Sequence, residues 1–330
     1  MGDDRTSGGW TRRRLCGAGL VIGAAARDAR AQGSEPRRIL VNFPPGGQLD
    51  GMARLIADRA QREGRGPVVV ENRPGAGGNI GAAAAARARP DGRTVLASID
   101  TPFTVNPHLY RDMGFDPERD LAPIALVSSF PLALVAHPDA GIADLAGFLA
   151  AARNRPLFYS SAGIGSPGHL AMEHLRQRSG LPAGALENVP QRGNTEALTA
   201  VLSGTAQAGF LAVGGGPDLV RSARLRALAV SGPRRDPALP DVPTVAESGL
   251  PGFDVRIGLL LLAPRGTPEA ETAEWAALVR GVLAEPSTAA RLVDWGAQAE
   301  NGDAAAAAEW MRAGRERWGG VVRAAGMRLE

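Results

Sequence analysis

Four short stretches hold residue types able to do chemistry. "GIGSPGH" (163–169) sets Ser166 near His169, the types of an acyl-transfer nucleophile and its base. A nucleophile elbow needs glycine two positions before the serine, where this chain has Ile164, and Pro167 deletes the backbone N–H just after the nucleophile. His169, Glu173 and His174 read H-x-x-x-E-H, one residue off the zinc spacing. On a helix, one of them is expected to point at a cleft and the others at solvent. "GAGGNIG" (75–81) sits where a dinucleotide fingerprint would, but G-x-G-x-x-G begun at Gly75 requires glycine at position 80, which is Ile80. "NFPPGGQLDG" (42–51) is a glycine turn with Asp50 placed to cap a helix over 51–62, or to hold a polar group of a ligand.

The chain contains no lysine, so its 37 basic residues are all arginine. Schiff-base and P-loop lysine chemistry are thereby removed. No motif calls for a cofactor or a metal. What the glycine turns can do is bind an anion, because a helix beginning straight after such a turn exposes free N–H groups and the positive end of its dipole.

The elements that must position these turns alternate. "RILVNF" (38–43), "PVVVEN" (67–72) and "RTVLAS" (93–98) read as buried strands, with helices over 51–62 and 77–88 between them. Two further extended runs, 122–129 and 131–138, are separated at Pro131. A second series follows: helix 142–152, strand 157–161, helix 167–178, strand 187–190, helix 194–203, and strands 206–211 and 225–231. A Pro/Gly-rich segment (232–253) leads to the apolar strand 255–264 and a helical C-terminus. The order predicts a mostly parallel sheet flanked by helices. The runs 131–136 and 257–263 are candidates for strands crossing between two lobes around a hinged cleft.

Residues 1–31 carry Arg12-Arg13-Arg14, a short apolar run and an A-x-A-like site at Ala29–Ala31, the pattern of a Sec or twin-arginine export signal. That segment holds six Arg and three Asp, which accounts for the whole chain's net charge of +3. The mature chain is then close to neutral, and no nucleic-acid partner is expected. Cys16 leaves with the signal.

The ordered set "RILVNFPPGGQLDGMARLIADR", "VVVENRPGAGGNIGAAAAARARPDGRTVLAS", "FYSSAGIGSPGHLAMEHL", "NVPQRGNTEALTAVLSG", "LRALAV", "LPDVPTVAESGLPGF" and "APRGTPEAETAEWAALVRGVL" resembles the Bug-type receptors, the solute-binding proteins of tripartite tricarboxylate transporters. The resemblance runs from about Arg37 to the C-terminus. It implies an α/β, type II periplasmic-binding-protein fold, with two α/β lobes, two crossing strands and a ligand cleft between. Lobe 1 would comprise 32–130 and 256–330, and lobe 2 residues 131–255. A ligand carboxylate would be held largely by backbone N–H groups and waters. Matched position by position, the resemblance implies contacts at Phe43, Gln48, Leu49, Asp50, Gly78, Asn79 and Thr101 in the first lobe. In the second it implies Ser161, Ala162, Gly163, Ser166, His169, Gln191, Arg192 and Gly193.

Three positions depart from the family pattern: Gln48-Leu49, Gln191, and the neutral stretch "LAVGGG" (211–216). They suggest a less polar wall and an aromatic or aliphatic acid as ligand. Arg192, if it faces the cleft, is the natural partner for a second carboxylate. The expectation is a periplasmic, non-enzymatic, monomeric receptor delivering its ligand to a membrane permease. The rival readings are an exported hydrolase or lyase using Ser166 or Asp50, and a sensor that docks on a signalling protein when loaded.

Overall fold

The computed structural model describes residues 36–212 and 216–329. The export-signal expectation, Cys16 included, and Val213, Gly214 and Gly215 of "LAVGGG" lie outside the described residues. From Arg37 the chain runs β1 (Arg37–Val41), α1 (Gln48–Arg62), β2 (Val68–Asn72), α2 (Asn79–Ala86), β3 (Thr94–Ile99), α3 (Thr101–Thr104) and β4 (Leu121–Ala136). It continues through α4 (Leu145–Asn154), β5 (Leu157–Ser161), α5 (Pro167–Arg178), β6 (Leu186–Pro190), α6 (Asn194–Leu202), β7 (Ala208–Ala212) and α7 (Gly216–Arg221). The last elements are β8 (Arg226–Val230), β9 (Arg256–Pro264), α8 (Glu269–Leu283), α9 (Pro286–Asp294), β10 (Gln298–Gly302) and α10 (Ala304–Ala325).

The strands lie in the order β2-β1-β3-β9-β4-β7-β5-β6, with β8 and β10 also paired to β4. β1 is parallel to β2 and β3, and β5 is parallel to β6 and β7. β9 is antiparallel to both β3 and β4, so β3 and β4 run the same way. β7 is antiparallel to β4 and runs back toward its middle. Both parallel sets therefore end, by their C-terminal edges, at the middle of β4. In open α/β sheets that edge is where ligands bind.

The two runs expected on either side of Pro131 are one 16-residue strand, β4. The strand continues past the proline because the residue after it is tied into the returning chain. Pro131 sits opposite Arg256 in the ladder. At the next residue, the Leu132 N–H donates to Ser231 Oγ at 2.8 Å, and that hydroxyl donates to Val255 O at 2.5 Å. Ser231 N in turn donates to Leu132 O at 2.8 Å, and Val255 N to Ser231 O at 2.8 Å. One fully buried serine thus ties the outgoing strand to the returning chain.

Buried side chains explain the rest of the frame. Leu49, Met52, Ala53, Ile56 and Ala60 give α1 an apolar face at helical spacing, packed with Ile39, Val41 and Trp275. Fully burying Leu49, Met52 or Ile56 contributes about 1.5–3 kcal/mol each, and the alanines less. β9 is buried along almost its whole length, as a strand between two others and under helices must be. α10, capped by Asp303 accepting from Ala306 N at 2.9 Å, reaches from the middle of the sheet into the second lobe. There Trp318, Val321 and Val322 share a core with Tyr159, Leu170, Leu175 and Phe210. β10 went unread in the sequence because "QAENG" has no apolar alternation.

Candidate ligand-binding cleft

Each parallel strand of the first lobe ends in a polar turn. After β1, Asn42 is fully buried, and its amide donates to Gly78 O at 3.1 Å and Ser98 Oγ at 2.8 Å. This holds the turn preceding α2 against the end of β1. Gly78 has φ +94°, and a Cβ there would lie 2.7 Å from Asn42 Nδ2, so the turn needs glycine on both counts. Asn79 opens α2; its Oδ1 accepts from Asn106 at 2.7 Å, while its own amide nitrogen is buried without a partner. The Phe43 ring lies beside Gly78, and its carbonyl accepts from Asn72 at 3.1 Å. Thr101 begins α3 directly after β3 and is buried.

The second lobe repeats the arrangement. Ser161, the last residue of β5, donates to Asn188 Oδ1 at 2.8 Å and accepts Gln191 N–H on its carbonyl at 2.8 Å. Ala162 and Gly163 turn the chain, Gly163 with φ +115°. Ser166 precedes α5, and its buried hydroxyl has no partner. His169 Nδ1 accepts the Gly165 N–H at 3.2 Å, and burial pushes the imidazole down to about 4, so it is neutral near pH 7. Gln191 and Gly193 form the turn into α6, with Arg192 exposed beside them.

α1, α2, α5 and α6 all begin at these turns without a side-chain cap. α4 differs, with Asp144 accepting from Gly147 N at 2.7 Å. These four uncapped N-termini follow the facing C-terminal edges of the two parallel strand sets, and leave N–H groups and positive dipole ends available to an anion without a buried cation.

Several expected roles change. Asp50 does not cap α1, which starts earlier, at Gln48 behind Gly47. Its carboxylate is consumed by Arg54, Asn72 and the Gly46 N–H, all at 3.0 Å, because the N-terminal turn of α1 folds over β2. Arg54 also holds that carboxyl below its ordinary range, against the upward push of burial. Leu49 is 6% exposed within the core under α1. The less polar cleft wall read from Leu49 therefore loses that support. Gln48 donates to Trp295 O, leaving its Oε1 buried and unpartnered. Glu173 and His174 are not solvated. Glu173 is buried and bonds Arg176 at 2.8 Å, and His174 packs between Phe253 and Trp318.

Sequence reading missed Asn42, Asn106 and Asn188, which organise the turns. A polar residue closing an apolar strand run was the available signal for Asn42, in "ILVN". Among the described residues no group of three or more His, Cys, Asp or Glu could hold a metal ion, and no helix is long and apolar enough to cross a membrane.

The model of the tripartite tricarboxylate transporter family receptor matches residues 52–327. The chain belongs to this receptor family. The receptor is 34% identical over 315 residues to a UPF0065 protein of Pseudomonas sp. from a tcbD-tcbE intergenic region, covering 93% of this chain and 92% of that one. It is 35% identical over 247 residues to protein BugT of Bordetella pertussis, covering 74% and 75%. Among solved structures, R. palustris Rpa4515 with adipate aligns with TM-score 0.78 at 30% identity, over 89% of the receptor and 98% of that chain. MatC from Rhodopseudomonas palustris with bound malate aligns with TM-score 0.73 at 31% identity, over 87% and 98%. The receptor therefore has the two-lobe solute-binding fold that its sequence led us to expect.

Proposed function

We propose that this receptor captures a small carboxylate between its two lobes and delivers it to the permease of a tripartite tricarboxylate transporter. The observation carrying this reading is that four uncapped helix N-termini follow the facing ends of the two parallel strand sets, with two unpartnered buried groups beside them, Asn79 Nδ2 and Ser166 Oγ. Such a site suits an acceptor-rich anion and leaves donors unsatisfied without one. The adipate and malate carried by the two structural relatives agree with that chemistry.

The residues proposed to face the ligand are Phe43, Gly78, Asn79 and Thr101 on one side, and Ser161 to Gly163, Ser166, His169 and Gln191 to Gly193 on the other. Lobe 1 would take 32–130 and most of 256–330, and lobe 2 residues 131–255 with the end of α10, whose Trp318, Val321 and Val322 pack in its core. The chain would act in the periplasm as a monomer, after removal of a signal near Ala31. No reaction is proposed: Ser166 Oγ has no base bonded to it, and His169 Nδ1 is occupied by a backbone N–H. Calorimetric titration of the mature chain with adipate, malate and benzoate, each beside its amide, tests the reading. Binding of an acid but not its amide is expected. Equal binding of both forms, or chemical turnover of either, would defeat it.

A further inference from the structure

Beside the crossing strands lies a cavity of about 420 Å³ walled by β4, β9, β10 and α10. Asp100 opens onto it from the turn between β3 and Thr101. Its Oδ2 accepts Trp310 Nε1–H at 2.6 Å and the Gly258 N–H at 3.1 Å. Its own N–H donates to Gly258 O at 2.9 Å, extending the β3–β9 ladder past the end of β3. Trp310 also lies under the Arg256 guanidinium, 5.1 Å from ring centroid to charge. Arg256 is the residue opposite Pro131 where the two crossing strands meet.

We propose that Asp100 is a positioning residue: bonded to Trp310 and to the β9 backbone, it fixes the ligand-facing turn at Thr101 relative to the hinge and so sets ligand affinity. The proposal rests on the receptor reading above. Its basis is a connected path, Arg256 to Trp310 to Asp100 to Thr101, in which no link leaves the hinge region.

The neighbouring charges leave Asp100 without a bonded cation. Arg256 is spent on Asp254, at 2.9 Å through both oxygens, and on Glu300 at 2.7 Å. Glu309 faces the same cavity from α10 but bonds Arg312, and Arg317 acts on Asp100 only through space. Asp100 is deeply buried, and burial pushes its carboxyl up to about 6 against the two N–H donors. The path therefore changes its central hydrogen bonds in a pH range where the protein can be studied folded.

The test uses the ¹⁵N-labelled mature chain. The Trp310 indole N–H, identified by its loss in Trp310→Phe, and the Thr101 amide are expected to titrate with one shared midpoint near 6, and neither in Asp100→Asn. With adipate as probe, wild-type affinity should change about 5-fold or more across that midpoint, a coupling of ordinary size. Asp100→Asn, which keeps an acceptor, should bind with a flat pH profile, and Trp310→Phe should bind more weakly than wild type at every pH. A Thr101 amide that ignores the indole titration, or an unchanged pH profile in Asp100→Asn, overturns the proposal. If wild type does not bind adipate, that counts against the ligand reading alone, and the ligand-free spectra still decide the role of Asp100.

Discussion

Ile99 and Ala212, the last residues of β3 and β7, lie in register with positions four residues apart on β4. Ile99 pairs with Leu259, which pairs with Ser128 of β4, and Ala212 pairs with Leu132. At about 3.3 Å per residue the two strand ends are separated by roughly 13 Å along β4. That offset separates the facing strand ends of the two lobes, and it is set by β4 together with the returning strand beside it. Pro131 lies within that span, opposite Arg256 of the returning strand.

Ser231 closes the frame at that point, so its removal should be felt as stability. Ser231→Ala orphans the buried Leu132 N–H and frees Val255 O. A loss of about 1–3 kcal/mol is expected. Urea unfolding should show a lower midpoint with an unchanged slope. A midpoint equal to wild type would mean that water or a backbone shift replaces the hydroxyl.

Gly78→Ala places a methyl 2.7 Å from Asn42 Nδ2 on a backbone at φ +94°. The strain is expected to cost roughly 1–3 kcal/mol. It should also weaken ligand binding, because the displaced Asn42 no longer holds the turn before α2. Calorimetric affinity and thermal unfolding measured on the same preparation would check both effects.

Ser166→Ala should separate binding from folding. The buried hydroxyl has no partner in the free protein, so its loss should leave stability within about 0.5 kcal/mol or raise it. A ligand that accepts a hydrogen bond there should bind about 10-fold more weakly, the equivalent of roughly 1.4 kcal/mol. Unaltered affinity would place the ligand away from the start of α5.

Asp100 makes a signed prediction about pH. Its folded carboxyl is raised to about 6 from the ordinary 3.8, so the native state binds more protons than the unfolded chain between those values. Its contribution to stability is complete at pH below the ordinary value and is lost as pH rises through about 6. The total change is on the order of 3 kcal/mol. Asp100→Asn lacks this dependence, so its stability relative to wild type should improve from pH 4 to pH 7. Parallel urea titrations at the two pH values would reveal the crossover, and a constant difference would mean that the carboxylate stays ionised throughout.

Much of the fold was legible because it is written in apolar runs. The helix over 167–178 and the strand 157–161 fall where the sequence put them, since Pro167 and the glycines on either side punctuate both. The single strand through Pro131 was not legible, because its continuity depends on Ser231, about a hundred positions later in the chain. At the cleft, the glycine turns could be read from local spacing, but the start of α1 could not, since Asp50 was read as its cap. The sequestration of Asp50 by Asn72 and Arg54, the inward turn of Leu49, and the asparagine network joining Asn42, Gly78, Asn79 and Asn106 could not. Each depends on a tertiary neighbour that only the assembled sheet brings near.

Thermal unfolding of the mature chain against a panel of mono-, di- and tricarboxylates, aromatic acids and their amides tests the central claim most directly. A ligand present at one hundred times its dissociation constant should add about 2.7 kcal/mol of stability. One class of acid is expected to raise the midpoint while its amides do not, with the shift reduced in Ser166→Ala. A panel in which no acid moves the midpoint, or in which amides act as well as acids, would contradict a cleft built to hold a carboxylate.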